Sequence, residues 1–208
     1  MSYGLYVITD ERLSKGLTHV EIARRALQGG ADVIQLRDKH MNCSDLINAA
    51  KEIRQLTKGT STLFIVNDRL DVALISGADG VHLGQKDIPV KFAKKISPPG
   101  LIIGVSASTV EEAVKAESEG ADYIGMGPVY NTSSKSDAEP ACGIDALREA
   151  CDKVSIPVVA IGGIGMNNAR EVLEAGADGI AVISAVVSQD DVTKAANELK
   201  EIIKKYIK

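Results

Sequence analysis

Gly30-Ala31-Asp32-Val33-Ile34-Gln35-Leu36, Gly77-Ala78-Asp79-Gly80-Val81-His82-Leu83, Gly120-Ala121-Asp122-Tyr123-Ile124-Gly125-Met126 and Gly176-Ala177-Asp178-Gly179-Ile180-Ala181-Val182 are four copies of one pattern. Each is Gly-Ala-Asp followed by a short apolar stretch that reads as a strand. An amphipathic, helix-like stretch precedes each copy: Glu21 to Gln28, Leu70 to Ser76, Val110 to Glu119 and Ala169 to Glu174. The glycine suits a left-handed helix C-terminus, where a Cβ would clash. Working outward, four more runs rich in Val and Ile lie between the copies: Leu5 to Thr9, Leu63 to Val66, Ile102 to Val105 and Val158 to Ile161. Such runs suit strands buried on both faces. The chain then holds eight βα units, with the repeat opening strands two, four, six and eight. Eight similar parallel units with right-handed crossovers close into a barrel. The alternative is an open doubly wound sheet. The repeat continues to the last unit, so the expected fold is α/β, a single (β/α)8 TIM barrel spanning residues 1–208.

Bulk properties agree with that expectation and exclude several functions. The 208 residues suffice for one sizeable core, and the balance of 45% hydrophobic to 25% charged residues is that of a globular enzyme. A net charge of -4 gives no bulk attraction to nucleic acid or to an anionic membrane. No apolar run approaches the roughly 18 residues of a membrane span, and no secretory leader is expected at the N-terminus. Cys43, Cys142 and Cys151 are odd in number and lack C-x-x-C spacing, which argues against a disulfide framework and for a reducing cytoplasm. A homo-oligomer stays open. The last helix is expected over Asp190 to Tyr206, with a lysine-rich end that favours its dipole.

In such a barrel the chemistry belongs at the C-terminal ends of the strands. Asp68 and Asp87 follow neighbouring strands there. Two nearby carboxylates repel unless a cation lies between them, and Mg2+ is commonly held by one or two carboxylates plus phosphate oxygens. Either aspartate could instead cap the helix that follows it. Arg37, Lys39 and Lys135 supply positive charge on the same rim. Gly162-Gly163 after strand seven and Ile183-Ser184 after strand eight suit the approach of backbone N–H groups to a phosphate, although a tight turn also calls for glycine. The loop from Asn131 to Pro140 is long and polar, as lids are. His82 is expected to be a satisfied barrel residue, and His19 and His40 surface residues. No histidine or cysteine is paired as nucleophile and base.

These strand-end motifs carry a resemblance. Gln35-Leu36-Arg37-Asp38-Lys39, Asn67-Asp68-Arg69, Gly84-Gln85-Lys86-Asp87, Gly104-Val105-Ser106, Gly127 to Lys135, Gly162-Gly163-Ile164 and Ile183-Ser184-Ala185 stand in the order of the thiamine-phosphate synthase family. The resemblance implies that Gln35, Leu36, Arg37, Asp38, Lys39 and Asn67 bind an aminopyrimidine diphosphate. Asp68 and Asp87 would hold Mg2+ against it, Ser106 would touch the pyrimidine, and Lys135 the diphosphate. Thr132, Ser133, Ser134, Gly163, Ile183 and Ser184 would hold a thiazole phosphate. Arg37, Lys39, Ser106 and Lys135 would be the catalytic set. The family usually carries Thr-Pro-Thr-Lys where this chain has Thr132-Ser133-Ser134-Lys135, a less preorganised loop. A basic residue before strand three is also expected at the diphosphate, with Lys58 the nearest fit and Arg54 the fallback. The implied reaction expels pyrophosphate from the pyrimidine and joins the ring to the thiazole. Two rivals share the barrel: a thiazole tautomerase, which needs an acid/base group near the loop after strand six, and a non-enzymatic regulator, which does not need Asp68, Asp87 and Lys135 together.

Overall fold

The computed structural model describes residues 3–134 and 139–206. Eight parallel strands, β1 (Gly4–Ile8), β2 (Val33–Leu36), β3 (Leu63–Asn67), β4 (Gly80–Leu83), β5 (Ile102–Ala107), β6 (Tyr123–Met126), β7 (Val158–Ile161) and β8 (Gly179–Val182), pair in chain order. β8 returns to β1 in the register Leu5 to Ile180, which closes the barrel. Helices cover it outside: α1 (His19–Gln28), α2 (Cys43–Thr57), α3 (Leu70–Ser76), α4 (Val90–Ile96), α5 (Val110–Ser118), α6 (Gly143–Lys153) and α7 (Ala169–Glu174). A short α8 (Ser184–Val187) follows β8, and α9 (Val192–Ile203) is the last described helix. No described helix is long and apolar enough to cross a membrane.

The repeat that announces the barrel also ties its floor. Asp32, Asp79, Asp122 and Asp178 sit just before the even strands and accept backbone N–H groups of the odd strands before them. Leu5 and Ile103 donate at 2.7 Å to Asp32 and Asp122, and Phe64 and Val158 at 2.8 Å to Asp79 and Asp178. A hydrogen bond to an ionised acceptor is roughly twice as strong as a neutral one. Lys200, Arg54 and Lys94 pair with Asp32, Asp79 and Asp122 from the surrounding helices. The repeat glycines all have positive φ, from 66° at Gly77 to 105° at Gly176, so each helix can turn sharply into the next strand.

Helix boundaries follow their caps. α1 begins at His19 rather than at Glu21, because Thr18 and Glu21 form a reciprocal capping box. Its buried face is His19, Ile22, Ala23 and Ala26, the spacing of one helical stripe. His19 is therefore a core residue, only 1% exposed, and not the surface residue expected of it. His40 is exposed. α9 runs from an Asp191 cap only to Ile203, shorter at both ends than the sequence suggested.

Candidate active site

A cavity of about 690 Å³ opens over the C-terminal ends of the strands. Its wall brings together Arg37, Lys39, Asn67, Asp68, Asp87, Ser106, Thr132, Ser133, Ser134, Gly163, Ile183 and Ser184 from seven different strand ends. Lys135 lies outside the described residues.

Asp68 and Asp87 face the same cavity and act on each other there. Burial first, and then the hydrogen bond and charge of Asp87, raise Asp68 from the usual carboxylate range to about 6; Lys39 and Arg37 act in the opposite sense. Neither aspartate caps a helix: the N-caps of α3 and α4 are Arg69 and Pro89, and neither makes a side-chain cap bond. Asp87 instead accepts the Gly84 N–H at 2.7 Å, closing the turn after β4. Asp68 has φ of 59°, a left-handed conformation that non-glycine residues adopt at a cost of roughly 1–2 kcal/mol. Its N–H reaches the His82 carbonyl at 2.8 Å, which pins the turn. Two carboxyls on one wall, one of them raised by the charge of the other, suit a divalent cation between them. Among the described residues no cluster of three or more His, Cys, Asp or Glu side chains could hold a metal. A cation here would thus complete its shell with ligand oxygens and water.

Arg37 is 5% exposed, and its guanidinium lies 3.7 Å from the buried Asp10 carboxylate. Ser106 forms the floor. Its hydroxyl is 2.9 Å from His82 Nε2, its carbonyl accepts the Gln85 amide at 2.7 Å, and His82 Nδ1 is 2.9 Å from the Tyr123 hydroxyl. Below it Tyr123 meets Tyr6 at 2.8 Å, and Tyr6 accepts the Gln35 amide at 2.6 Å. His82 is thus the satisfied barrel residue expected. Gln35 lies beneath the main cavity, in a smaller one shared with His82 and Ser106, and its Oε1 is buried with no partner among the described residues. A buried acceptor left open is costly unless a ligand satisfies it.

Across the cavity, Gly162 and Gly163 follow β7 with φ of 99° and 64°. A Cβ on Gly163 would stand 2.7 Å from the Asn131 carbonyl oxygen, so this turn has room only for glycine. The Ser134 hydroxyl donates to Ser184 Oγ at 3.1 Å and joins the β6 loop to the start of α8. A short extra helix after β8, beside the glycines after β7, is the usual phosphate-binding arrangement of this fold. Tyr130 steadies the same loop through its hydroxyl, which donates to Glu171 of α7 at 2.8 Å.

Some residues singled out from the sequence are not brought to the cavity. Leu36 is buried in β2, and Asp38 lies off the wall, its carboxylate occupied by His19, His40 and Met41. Arg54 pairs with Asp79 at the opposite end of the barrel, and the exposed Lys58 caps the end of α2, so neither reaches the site. The reason is topological: both precede β3, and residues that precede a strand belong to the N-terminal end of the barrel, away from the cavity. Gln85, Lys86, Ser108, Glu112, Glu139 and Gln189 also line the cavity. Gln85 and Lys86 could have been found, since they follow β4 directly. Glu112 sits in the first turn of α5, where it accepts Ser108 N–H and Oγ–H, and reads in sequence only as a helix start.

A closed eight-strand barrel with its polar and charged side chains gathered over the C-terminal mouth is a (β/α)8-barrel enzyme. Comparison with known proteins narrows the class. The family model described as thiamine monophosphate synthase matches residues 5–186. A thiamine-phosphate synthase of Methanocella arvoryzae is 65% identical over 206 residues, covering 99% of this chain and 97% of the relative. One from Methanoculleus marisnigri is 56% identical, covering 98% and 96%. The solved thiamine phosphate pyrophosphorylase of Pyrococcus furiosus superposes with a TM-score of 0.92 at 50% identity, covering 99% and 98%. The chain belongs to the thiamine monophosphate synthase family and is a transferase of thiamine biosynthesis.

Proposed function

We propose that the chain condenses 4-amino-2-methyl-5-(diphosphooxymethyl)pyrimidine with a thiazole phosphate, giving thiamine phosphate and pyrophosphate, with Mg2+ as its metal. The observation that carries this is the Asp68 and Asp87 carboxyl pair on the same cavity wall as Arg37 and Lys39. Asp68 and Asp87 would hold Mg2+, which when bound neutralises charge on the diphosphate oxygens. Arg37 and Lys39, joined by Lys135 from the β6 loop, would bind the diphosphate and stabilise the charge that grows on it as it departs. Gln35 Oε1 and Ser106 would orient the pyrimidine ring, the first as the open acceptor for a ring amino group. Asn67, on the wall of the main cavity, would bind the same pyrimidine diphosphate. Thr132, Ser133, Ser134, Gly163, Ile183 and Ser184 would hold the thiazole phosphate.

The bond between the pyrimidine methylene carbon and the diphosphate oxygen breaks, and its electron pair leaves with pyrophosphate. The cation left on the methylene is stabilised by the electron-rich ring amino group. The thiazole nitrogen lone pair then forms the new carbon–nitrogen bond. No proton must be removed by the protein, which agrees with a floor built of Ser106 and a His82 engaged on both nitrogens. The protein contributes positioning and electrostatics. The three free cysteines suit a reducing cytoplasm. The test is direct: purified protein, both substrates and Mg2+ should yield thiamine phosphate and pyrophosphate in equal amounts. A thiazole isomer without pyrophosphate would indicate a tautomerase, and binding without turnover a regulator.

A further inference from the structure

The chain leaves β2 through Arg37, Asp38 and Lys39, and the three part company. Arg37 and Lys39 line the cavity, whereas Asp38 is held from behind. Its Oδ1 accepts the N–H groups of His40 and Met41, both at 2.7 Å, and its Oδ2 lies 3.1 Å from His19 Nε2. His19 is at the start of α1, and its Nδ1 is 2.7 Å from Thr9 Oγ1. Thr9 is fully buried, and the same hydroxyl oxygen accepts the Arg37 N–H at 3.3 Å. The hydrogen bonds therefore run in a ring: Arg37 backbone, Thr9, His19, Asp38 and back along the chain to Arg37. One tautomer satisfies all of them. Nε2–H donates to the Asp38 carboxylate, Nδ1 accepts the Thr9 hydroxyl proton, and the Thr9 oxygen keeps a lone pair for Arg37. Glu11 anchors the same corner by accepting the His19 N–H at 2.8 Å. Asp10, next to Thr9, faces the Arg37 guanidinium.

We propose that His19, with Asp38 and Thr9, is a positioning set that fixes Arg37 and Lys39 for the departing diphosphate. This rests on reading that wall as the diphosphate site. His19 is absent from the cavity wall and reaches it through Thr9 and Asp38, with Glu11 Oε1 3.9 Å from its Nε2. A backbone turn held by such a network carries Arg37 and Lys39 from a fixed base, so they lose less freedom on binding an anion than residues of a loose turn do. The thiazole phosphate side, built on Gly163 and Ser184, shares none of these bonds. A role confined to the fold would weaken both substrates alike or neither, while a positioning role is selective.

The experiment compares the unaltered protein with His19→Phe, which keeps a ring without hydrogen bonds, and His19→Gln, which keeps a side-chain N–H within reach of Asp38. Asp38→Asn is the fourth protein. Two readouts are used: KM for each substrate, and the Kd of inorganic pyrophosphate with Mg2+ by calorimetry. His19→Phe should raise the pyrophosphate Kd and the pyrimidine KM about tenfold, the worth of one hydrogen bond to a charged group. The thiazole phosphate KM should stay within about twofold, inside the scatter of a change away from the site. His19→Gln should recover most of the loss. Should His19→Phe not fold, a severalfold rise in pyrophosphate Kd for Asp38→Asn supports the proposal and an unchanged Kd overturns it. Equal weakening of both substrates, an unchanged pyrophosphate Kd in His19→Phe, or a Gln variant as impaired as Phe overturns it. If the unaltered protein binds pyrophosphate but makes no thiamine phosphate, the functional reading fails, and the calorimetric comparison still decides the role of His19.

Discussion

Replacing Asp68 by Asn should make the metal-free protein more stable while disabling it. Asp68 is raised from 3.8 to about 6 by burial and by Asp87, so its ionised form opposes folding. At 1.36 kcal/mol per pKa unit the shift sets a ceiling of about 3 kcal/mol. Solvent screening of a half-buried group lowers the recoverable part to about 1–2 kcal/mol. Asn tolerates the left-handed backbone at this position as well as Asp does, and its amide can donate to Asp87. For a domain of this size, each kcal/mol moves Tm by about 2–4 °C, so a rise of about 2–8 °C is expected at pH 7.5 in a chelator. The sign with pH is fixed. The penalty is complete above the folded pKa near 6, shrinks as pH falls towards the unfolded value, and is gone below it. The advantage of Asp68→Asn should therefore vanish near pH 4. Mg2+ should raise the Tm of the wild type and not that of the variant, and turnover should fall by about 10² or more. Calorimetric scans with and without chelator check this. A variant that melts at or below the wild type at pH 7.5, or an advantage that persists undiminished at pH 4, would refute the reasoning.

Three further outcomes follow from the same geometry. Mg2+ affinity should drop about tenfold between pH 7.5 and pH 5, as Asp68 takes up the proton that a cation must displace; pH-independent titrations would count against the pair as the metal site. Lys135→Ala should slow pyrophosphate departure by roughly 2–4 kcal/mol in single-turnover experiments. A loss confined to thiazole phosphate affinity would assign Lys135 to the other ligand. Gly163→Val should raise KM for thiazole phosphate at least about tenfold, since a Cβ there meets the Asn131 carbonyl at 2.7 Å in a left-handed turn. Selective loss of the pyrimidine would show that the rim is not divided as drawn.

The barrel was legible because its repeat has a mechanical cause. Asp32, Asp79, Asp122 and Asp178 each bind a neighbouring strand's N–H, so the same three letters recur wherever an even strand begins. The rim was legible for a similar reason, since a strand that ends in Asn67-Asp68 or Gly84 to Asp87 can put those groups only at its C-terminal mouth. His19 reads in sequence as a surface residue, although its spacing with Ile22, Ala23 and Ala26 marks the buried stripe. A histidine at a helix start looks solvated until the partners it meets, Thr9 and Asp38, are known to be brought to it by two other loops. Asp38 was placed with the ligand because its neighbours are, whereas alternate residues of an extended segment face opposite ways. The Tyr6–Tyr123 contact joins residues 117 apart and leaves no local trace in the sequence.

On the proposed mechanism this rim would stabilise a departing pyrophosphate, with no protein base or nucleophile. The most direct test is a single-turnover comparison of the natural pyrimidine diphosphate with an analogue of nearly equal size, in which an electron-withdrawing group replaces the ring methyl. Positive charge on the pyrimidine in the transition state predicts far slower pyrophosphate release from the analogue, with little change in its binding. Equal rates from the two substrates would contradict the account.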